Sequence, residues 1–353
     1  MDNNNTSLLK VAQVGGLLNE RITSMLLVLN WSVIGAVIAV FGIAANIINI
    51  IVFIKMGVRE SVNLSLMCLS LSDLGSLVVL AMISLISNPL FTSLDLPFIY
   101  TDVIALAGGW PWTWFVRTSG MITTFVTMER CLCIKAPLRV RTILTPTRTA
   151  ISLAAIFLLL LLSLFPVLAY TDLAPIFDPR TNKTLIGVVF NDKEDAMKPF
   201  VMIPGFIVTA GSFLCVCVFS LVLIHALIQR RRKWKSSKNS GTSQTGAAPS
   251  TGKTQTQNKE IQVAKMILLV AAVFLVCFVP LGSLFLTMEL VPGFYMGKTY
   301  NNIYLVCMAV IQNLQGVNSS INIVLYLNMS SKFRQTIRAM FLSLKQTTEP
   351  KLD

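Results

Sequence analysis

Asp73, Arg117, Glu129 and Arg130 are charged residues set inside, or at the end of, stretches that are otherwise apolar. A charge in a low-dielectric interior is costly unless it is paired, neutralised or held at a water boundary, so retained charges of this kind point to function. In Glu129-Arg130 a fixed cation stands beside a carboxylate, an arrangement that can make and break an ion pair. Asp73 is a lone carboxylate in Leu69-Ser70-Leu71-Ser72-Asp73. Asn46, Ser119, Asn318, Ser319 and Asn322 are the polar residues of other apolar stretches that could partner it. Such an oxygen-rich set suits a hard cation or ordered water, and a purely structural hydrogen-bond network is the alternative. Arg117 faces stretches that offer no acid; its guanidinium could receive an anionic ligand group or be satisfied by carbonyls and hydroxyls. Hydrolytic chemistry has no footing. His225 is the single histidine and stands at the end of an apolar stretch, where no Ser-His pair or metal site can be assembled, so no enzyme is expected.

The elements that must position these residues are membrane spans. The chain has 353 residues, of which 54% are apolar and 13% charged, with a mean hydropathy of +0.71. Soluble domains average about 25% charged. Seven stretches are long and apolar enough to cross a bilayer core of about 30 Å as helices: 30–54, 62–87, 110–134, 150–168, 199–228, 263–288 and 303–326. The third is the least apolar. The net charge of +13 does not point to nucleic acid, because the cations sit in short loops between spans. Lys55 and Arg59, then Lys135, Arg139, Arg141 and Arg148, then the run from Arg230 to Lys238 fall on alternate loops, which the positive-inside bias makes cytoplasmic. The amino terminus is therefore expected outside and the carboxyl terminus inside, at the plasma membrane. Sequons at Asn4, Asn5 and Asn182 lie on the outer side. No cleavable leader is visible, so the first span is expected to act as its own signal anchor.

The reading divides the chain into an outer segment 1–29, a seven-span domain 30–328 and a tail 329–353. Within the second, 229–259 is polar, rich in Ser, Thr, Gly and Gln, and is expected to be a mobile cytoplasmic loop. In the tail, Phe333, Ile337, Phe341 and Leu344 recur at helical spacing among Lys332, Arg334, Arg338 and Lys345, the pattern of an amphipathic helix lying on the inner leaflet. At about 100° per residue, Trp112 and Arg130 share one face of the third span with Ser119 close by, whereas Arg117 lies about 140° round from Arg130. In the sixth span Phe274, Phe278 and Phe285 share a side, and Pro280 removes a backbone bond and bends the helix.

These motifs carry a resemblance. Glu129-Arg130-Cys131, followed by Ile134 and Pro137-Leu138, resembles the Asp/Glu-Arg-Tyr signature of rhodopsin-like (class A) G-protein-coupled receptors, with Cys131 in place of Tyr. Phe274…Cys277-Phe278-Val279-Pro280 resembles the family's Phe…Cys-Trp-x-Pro hinge, with Phe278 in place of Trp. Asn322-Ile323-Val324-Leu325-Tyr326 resembles Asn-Pro-x-x-Tyr, with Ile323 in place of Pro, so that helix is expected to keep its backbone bond. The resemblance runs from Asn46 to Phe333. It implies an all-α membrane protein, a seven-transmembrane helix bundle with a short amphipathic eighth helix. It further implies an extracellular ligand, a heterotrimeric G protein as partner with Leu138 packing into it, and a bound sodium ion at Asp73, Ser119, Asn318, Ser319 and Asn322, with Asn46 beside them. Glu260 matches an acid that pairs with the Arg of the third helix; the alternative is a solvated residue at a helix start.

The chain also departs from the family. All seven cysteines lie in or at the edge of spans, so the usual bridge from the third helix to the second outer loop is missing. Trp112 stands where amine receptors carry Asp, and the seventh span has no Lys for retinal. Trp112, Arg117, Phe285, Gln312 and Gln315 would form a mixed pocket, the alternative being that the aromatics are helix packing. The Arg130 stretch resembles molluscan chemosensory-type receptors, with FMRFamide-type neuropeptide receptors as neighbours. The competing class is a seven-span transporter or channel, which would require repeat symmetry or a continuous polar pathway; neither is visible.

Overall fold

Eight long helices, with two short ones at Pro89–Thr92 and Tyr100–Val103 between the second and third, follow one another along a computed structural model that describes residues 18–136, 142–178, 182–239, 251–295 and 298–348. They are α1 Glu20–Met56, α2 Ser61–Ile86, α3 Trp110–Lys135, α4 Pro146–Tyr170, α5 Glu194–Asn239, α6 Thr251–Leu290, α7 Asn301–Met329 and α8 Ser331–Thr348. By length and composition α1, α2, α4, α5 and α6 are apolar enough to cross a membrane. The third and seventh are held below that level by the polar residues they carry. Their placement explains the composition: α3 packs against α2, α4, α5 and α6, and α7 against α1, α2, α6 and α8. Polar side chains on these two helices meet other protein rather than lipid. Helix α4 is the opposite case, presenting Ile151, Leu158, Leu159, Leu162, Phe165 and Leu168 outward.

Several boundaries differ from the expectation. Helix α1 begins at Glu20, ten residues before the expected start, because the Asn19 side chain caps it by accepting from the Arg21 amide at 3.1 Å and Glu20 puts a carboxylate at its positive end. Its turns widen over Val28–Gly35. Between the fifth and sixth spans the expected loop 229–259 is shorter, since α5 runs to Asn239 and α6 starts at Thr251. Extending an existing helix needs no new nucleus and no apolar burial, which a test for an independent core overlooks. Helix α4 is interrupted at Ser163 and Leu164, just ahead of Pro166, which has no amide hydrogen to continue the ladder.

The expected loop after α4 contains an antiparallel hairpin, β1 Thr171–Asp178 with β2 Lys183–Phe190. Their β-branched and aromatic residues were the available signal. The hairpin is stitched to the α2–α3 connection: the Ile99 amide donates to the Ile186 carbonyl at 2.9 Å and the Ile186 amide to the Pro97 carbonyl at 2.8 Å. At the other end of the bundle α8 turns across α1 and α7. Phe53, Tyr326 and Phe333 pack ring to ring there, with centroids 5.2–5.5 Å apart. Arg334 closes the end of α7 by donating to the Leu327 and Asn328 carbonyls, each at 2.8 Å. The side chains of Phe341 and Leu344 lie outside the described residues.

Candidate functional site

Asp73 is fully buried on α2 and its carboxylate is bound from two other helices. Ser119 Oγ of α3 donates to Oδ1 at 2.8 Å, Ser319 Oγ of α7 to the same oxygen at 3.1 Å, and Asn322 Nδ2 of α7 to Oδ2 at 2.8 Å. Asn46 of α1 joins from behind, donating to the Ser319 carbonyl at 2.8 Å and to its own Gly42 carbonyl at 2.9 Å. Four helices thus converge on one carboxylate. Asn318, expected in this set, is buried but makes no hydrogen bond to Asp73. Ser76 takes a place the sequence reading missed, 3.2 Å from Ser319 Oγ and donating to the Asp73 carbonyl at 2.8 Å. Its signal was the three-residue spacing from Asp73, which puts both on one face of α2. The set of carboxylate, hydroxyl and amide oxygens matches what a hard cation requires. Among the described residues no three of His, Cys, Asp and Glu converge, so a softer metal has no comparable cluster.

The Arg130 end of α3 carries a buried ion pair. Arg130 Nη2 pairs with Glu129 Oε1 at 2.9 Å, both residues are buried, and Ser65 Oγ of α2 reaches Glu129 Oε2 at 3.4 Å. Arg130 Nε and the Tyr326 hydroxyl are buried without a hydrogen-bond partner. A buried polar group left unpartnered costs roughly 1–3 kcal/mol. Next to the pair, Cys131 Sγ donates to the Phe219 carbonyl of α5 at 3.0 Å, and Ile134 packs with Cys131, Leu223 and Ala264 to seal α3 against α5 and α6. The Glu260 side chain, Pro137 and Leu138 lie outside the described residues. The ion pair of Arg130 that the structure describes is therefore with its neighbour Glu129.

Towards the hairpin end, Phe274 and Phe278 stack with centroids 3.8 Å apart and cover Gly120 of α3, where an added Cβ would stand 3.3 Å from the Phe274 ring. Gln315 Nε2 of α7 donates to the Cys277 carbonyl at 2.8 Å, in the turn of α6 that leads into Pro280. Gln312 accepts from Trp31 Nε1 of α1 at 2.6 Å, a partner the sequence reading did not name. Trp112 is buried and Phe285 partly so, within one apolar cluster that also holds Phe274 and Phe278. These residues pack together, and both glutamines are engaged between helices. Arg117 is separate: it is 7% exposed, its guanidinium lies against Gly205 of α5, and its Nε has no partner. Asn182 opens β2 on the exposed hairpin, with a left-handed φ of +52°, a conformation that Asn tolerates well. Asn4 and Asn5 lie outside the described residues.

A bundle of seven helices with an eighth across one end, a polar core and a buried Glu-Arg pair defines a multi-pass membrane protein. The profile of the 7 transmembrane receptor (rhodopsin family) matches residues 45–326, and the chain belongs to that family: it is a G-protein-coupled receptor, not an enzyme. It is similar to the "Galanin-like G-protein coupled receptor npr-9" of Caenorhabditis elegans, 24% identical over 326 residues, which cover 85% of this chain and 70% of that protein. Neither comparison lends support to a seven-span transporter or channel.

Proposed function

We propose that the receptor lies in the plasma membrane with the hairpin end outside and the Arg130 end in the cytoplasm. There it binds an extracellular ligand, a neuropeptide or a small chemosensory molecule, and activates a heterotrimeric G protein. The observation that carries this reading is the buried Glu129–Arg130 pair, whose Arg130 Nε is left unpartnered. A ligand that binds the open bundle more tightly shifts the population towards it, and the cavity opened beside Arg130 takes the G protein. Pro137, Leu138 and Glu260 are assigned to that surface by their place in the motif. Orientation rests on the basic loops at the Arg130 end, and the sequons at Asn4, Asn5 and Asn182 agree with it.

A sodium ion held by Asp73, Ser119 and Ser319, with Asn318 and Asn322 alongside, would neutralise the buried carboxylate and favour the closed bundle. The oxygen donor set fits it. The similarity to a receptor named galanin-like favours a peptide as ligand. The test is ligand-dependent guanine-nucleotide exchange in membranes expressing the chain, challenged with tissue extract before and after protease digestion, with Arg130→Ala as control. Exchange that protease abolishes is expected. Exchange that survives digestion makes the ligand a small molecule, and an Arg130→Ala variant that signals like wild type overturns the switch.

A further inference from the structure

Among the described residues, Arg117 is the one buried charge that the receptor mechanism above leaves unused. Its side chain is buried, and among the described residues it makes no hydrogen bond and no ion pair. The buried acids do not reach it. Ser119, two residues further along α3, faces Asp73, and two residues turn a helix by about 200°, so that carboxylate lies on the other side. Glu129 is paired with Arg130 at the far end of the same helix. The hydroxyls along the α3–α5 seam send their protons elsewhere, Thr118 to the Trp114 carbonyl, Thr209 to the Gly205 carbonyl and Ser212 to the Val208 carbonyl, and among the described residues none of them accepts from the Arg117 Nε–H. Room for the guanidinium exists because position 205 is glycine; a Cβ there would overlap it. The sequence therefore keeps both a permanent cation and the space for it, at a depth about three turns from the hairpin end of α5.

We propose that Arg117 anchors a carboxylate carried by the receptor's ligand, held between α3 and α5 at the level of Gly205. A guanidinium is the side chain best matched to a carboxylate, since two parallel N–H donors meet its two oxygens. Without that anion the cation is a standing cost to the bundle, and with it the same buried site becomes a strong and selective contact. The inference rests on the reading of the bundle as ligand-binding and deepens it to a ligand class. The acid has two sources, an aqueous ligand entering under the hairpin or an acyl-chain acid entering from the bilayer.

The experiment is thermal melting of the purified full-length receptor in nanodiscs with 4-phenylbutyrate or its amide, and with oleate or oleamide. The expected result is that one carboxylate raises the midpoint by several degrees while its amide does not. Phenylbutyrate acting alone makes the source aqueous, and oleate acting alone makes it the bilayer. In Arg117→Gln the rise disappears and in Arg117→Lys it is reduced. Arg117→Met melts higher than wild type without any acid, which a cation serving only the fold would not allow. Equal shifts with acid and amide, no shift with either acid, or an undiminished shift in Arg117→Gln overturns the proposal. Melting is independent of signalling. Acid binding through Arg117 without nucleotide exchange would count against the receptor switch alone; exchange that is insensitive to Arg117→Gln would count against this site alone.

Discussion

Ser119 Oγ donates to Asp73 Oδ1 at 2.8 Å, so the helix that carries Arg130 is tied near its middle to a buried carboxylate on its neighbour. Ser319 and Asn322 tie α7 to the same group. Any movement of α3 relative to α7 must stretch these bonds, and hydrogen bonds to a charged group contribute about 1.5–3 kcal/mol each. If a sodium ion reinforces the set, the receptor should melt at a higher temperature in sodium chloride than in choline chloride at equal ionic strength. In Asp73→Asn that difference should vanish, because the amide carries no charge for the cation. A sodium effect that persists in Asp73→Asn would place the ion elsewhere.

Glu129 is the only acid that the described structure pairs with Arg130. Replacing it by Gln leaves a buried guanidinium without its counter-charge, and breaking a buried pair costs about 3–5 kcal/mol. The loss falls on the closed state, in which the pair is buried. Glu129→Gln should therefore raise ligand-free nucleotide exchange at least severalfold, since about 1.4 kcal/mol already shifts a two-state population tenfold. Basal exchange equal to wild type, at matched surface expression, would show that the pair does not hold the bundle shut.

The Gln315 amide bonded to the Cys277 carbonyl fastens α7 to α6 where Pro280 has removed a ladder bond. Gln315→Leu leaves that carbonyl with one partner fewer in a buried place, at a cost of roughly 1–3 kcal/mol. A lower melting point together with a change in the concentration of ligand needed for half-maximal exchange is expected. A lower melting point with an unchanged response would restrict Gln315 to packing.

The seven spans and three of the five expected partners of Asp73, Ser119, Ser319 and Asn322, could be read in the sequence because membrane burial makes each polar residue conspicuous. A lone carboxylate needs donors, and few side chains in the other spans could serve. The low hydropathy of the third span had the same origin, since α3 sits among four other helices. Uncharged contacts were harder to see. The bond from Trp31 to Gln312 spans α1 and α7 and leaves no periodic trace, and Ser76 is an ordinary serine until Ser319 is found 3.2 Å away. The start of α1 at Glu20 depends on one cap, and the lengths of α5 and α6 depend on helix continuation through polar residues, which a hydropathy reading treats as loop. The hairpin pairs β1 with β2 and was overlooked because strand-forming residues between two apolar spans were read as loop.

That hairpin has a consequence for redox behaviour. No two of the seven cysteines are joined in a disulfide among the described residues, and none lies in β1 or β2. What holds the hairpin to the α2–α3 connection is a set of hydrogen bonds: the Ile99 amide donates to the Ile186 carbonyl, the Ile186 amide to the Pro97 carbonyl, and the Val188 amide to Asp102 Oδ2 at 2.9 Å. Lys183 also reaches Asp95 at 2.7 Å, but both side chains are well exposed, and such pairs contribute about 0–1 kcal/mol. Dithiothreitol should accordingly leave the ligand response unchanged. Asp102→Ala, which removes the acceptor of a partly buried backbone amide, should weaken the response, whereas Asp95→Ala should leave it close to wild type. A response lost on reduction would show that a disulfide forms in the cell, and equal effects of the two substitutions would mean that Asp102 does no more than the exposed pair.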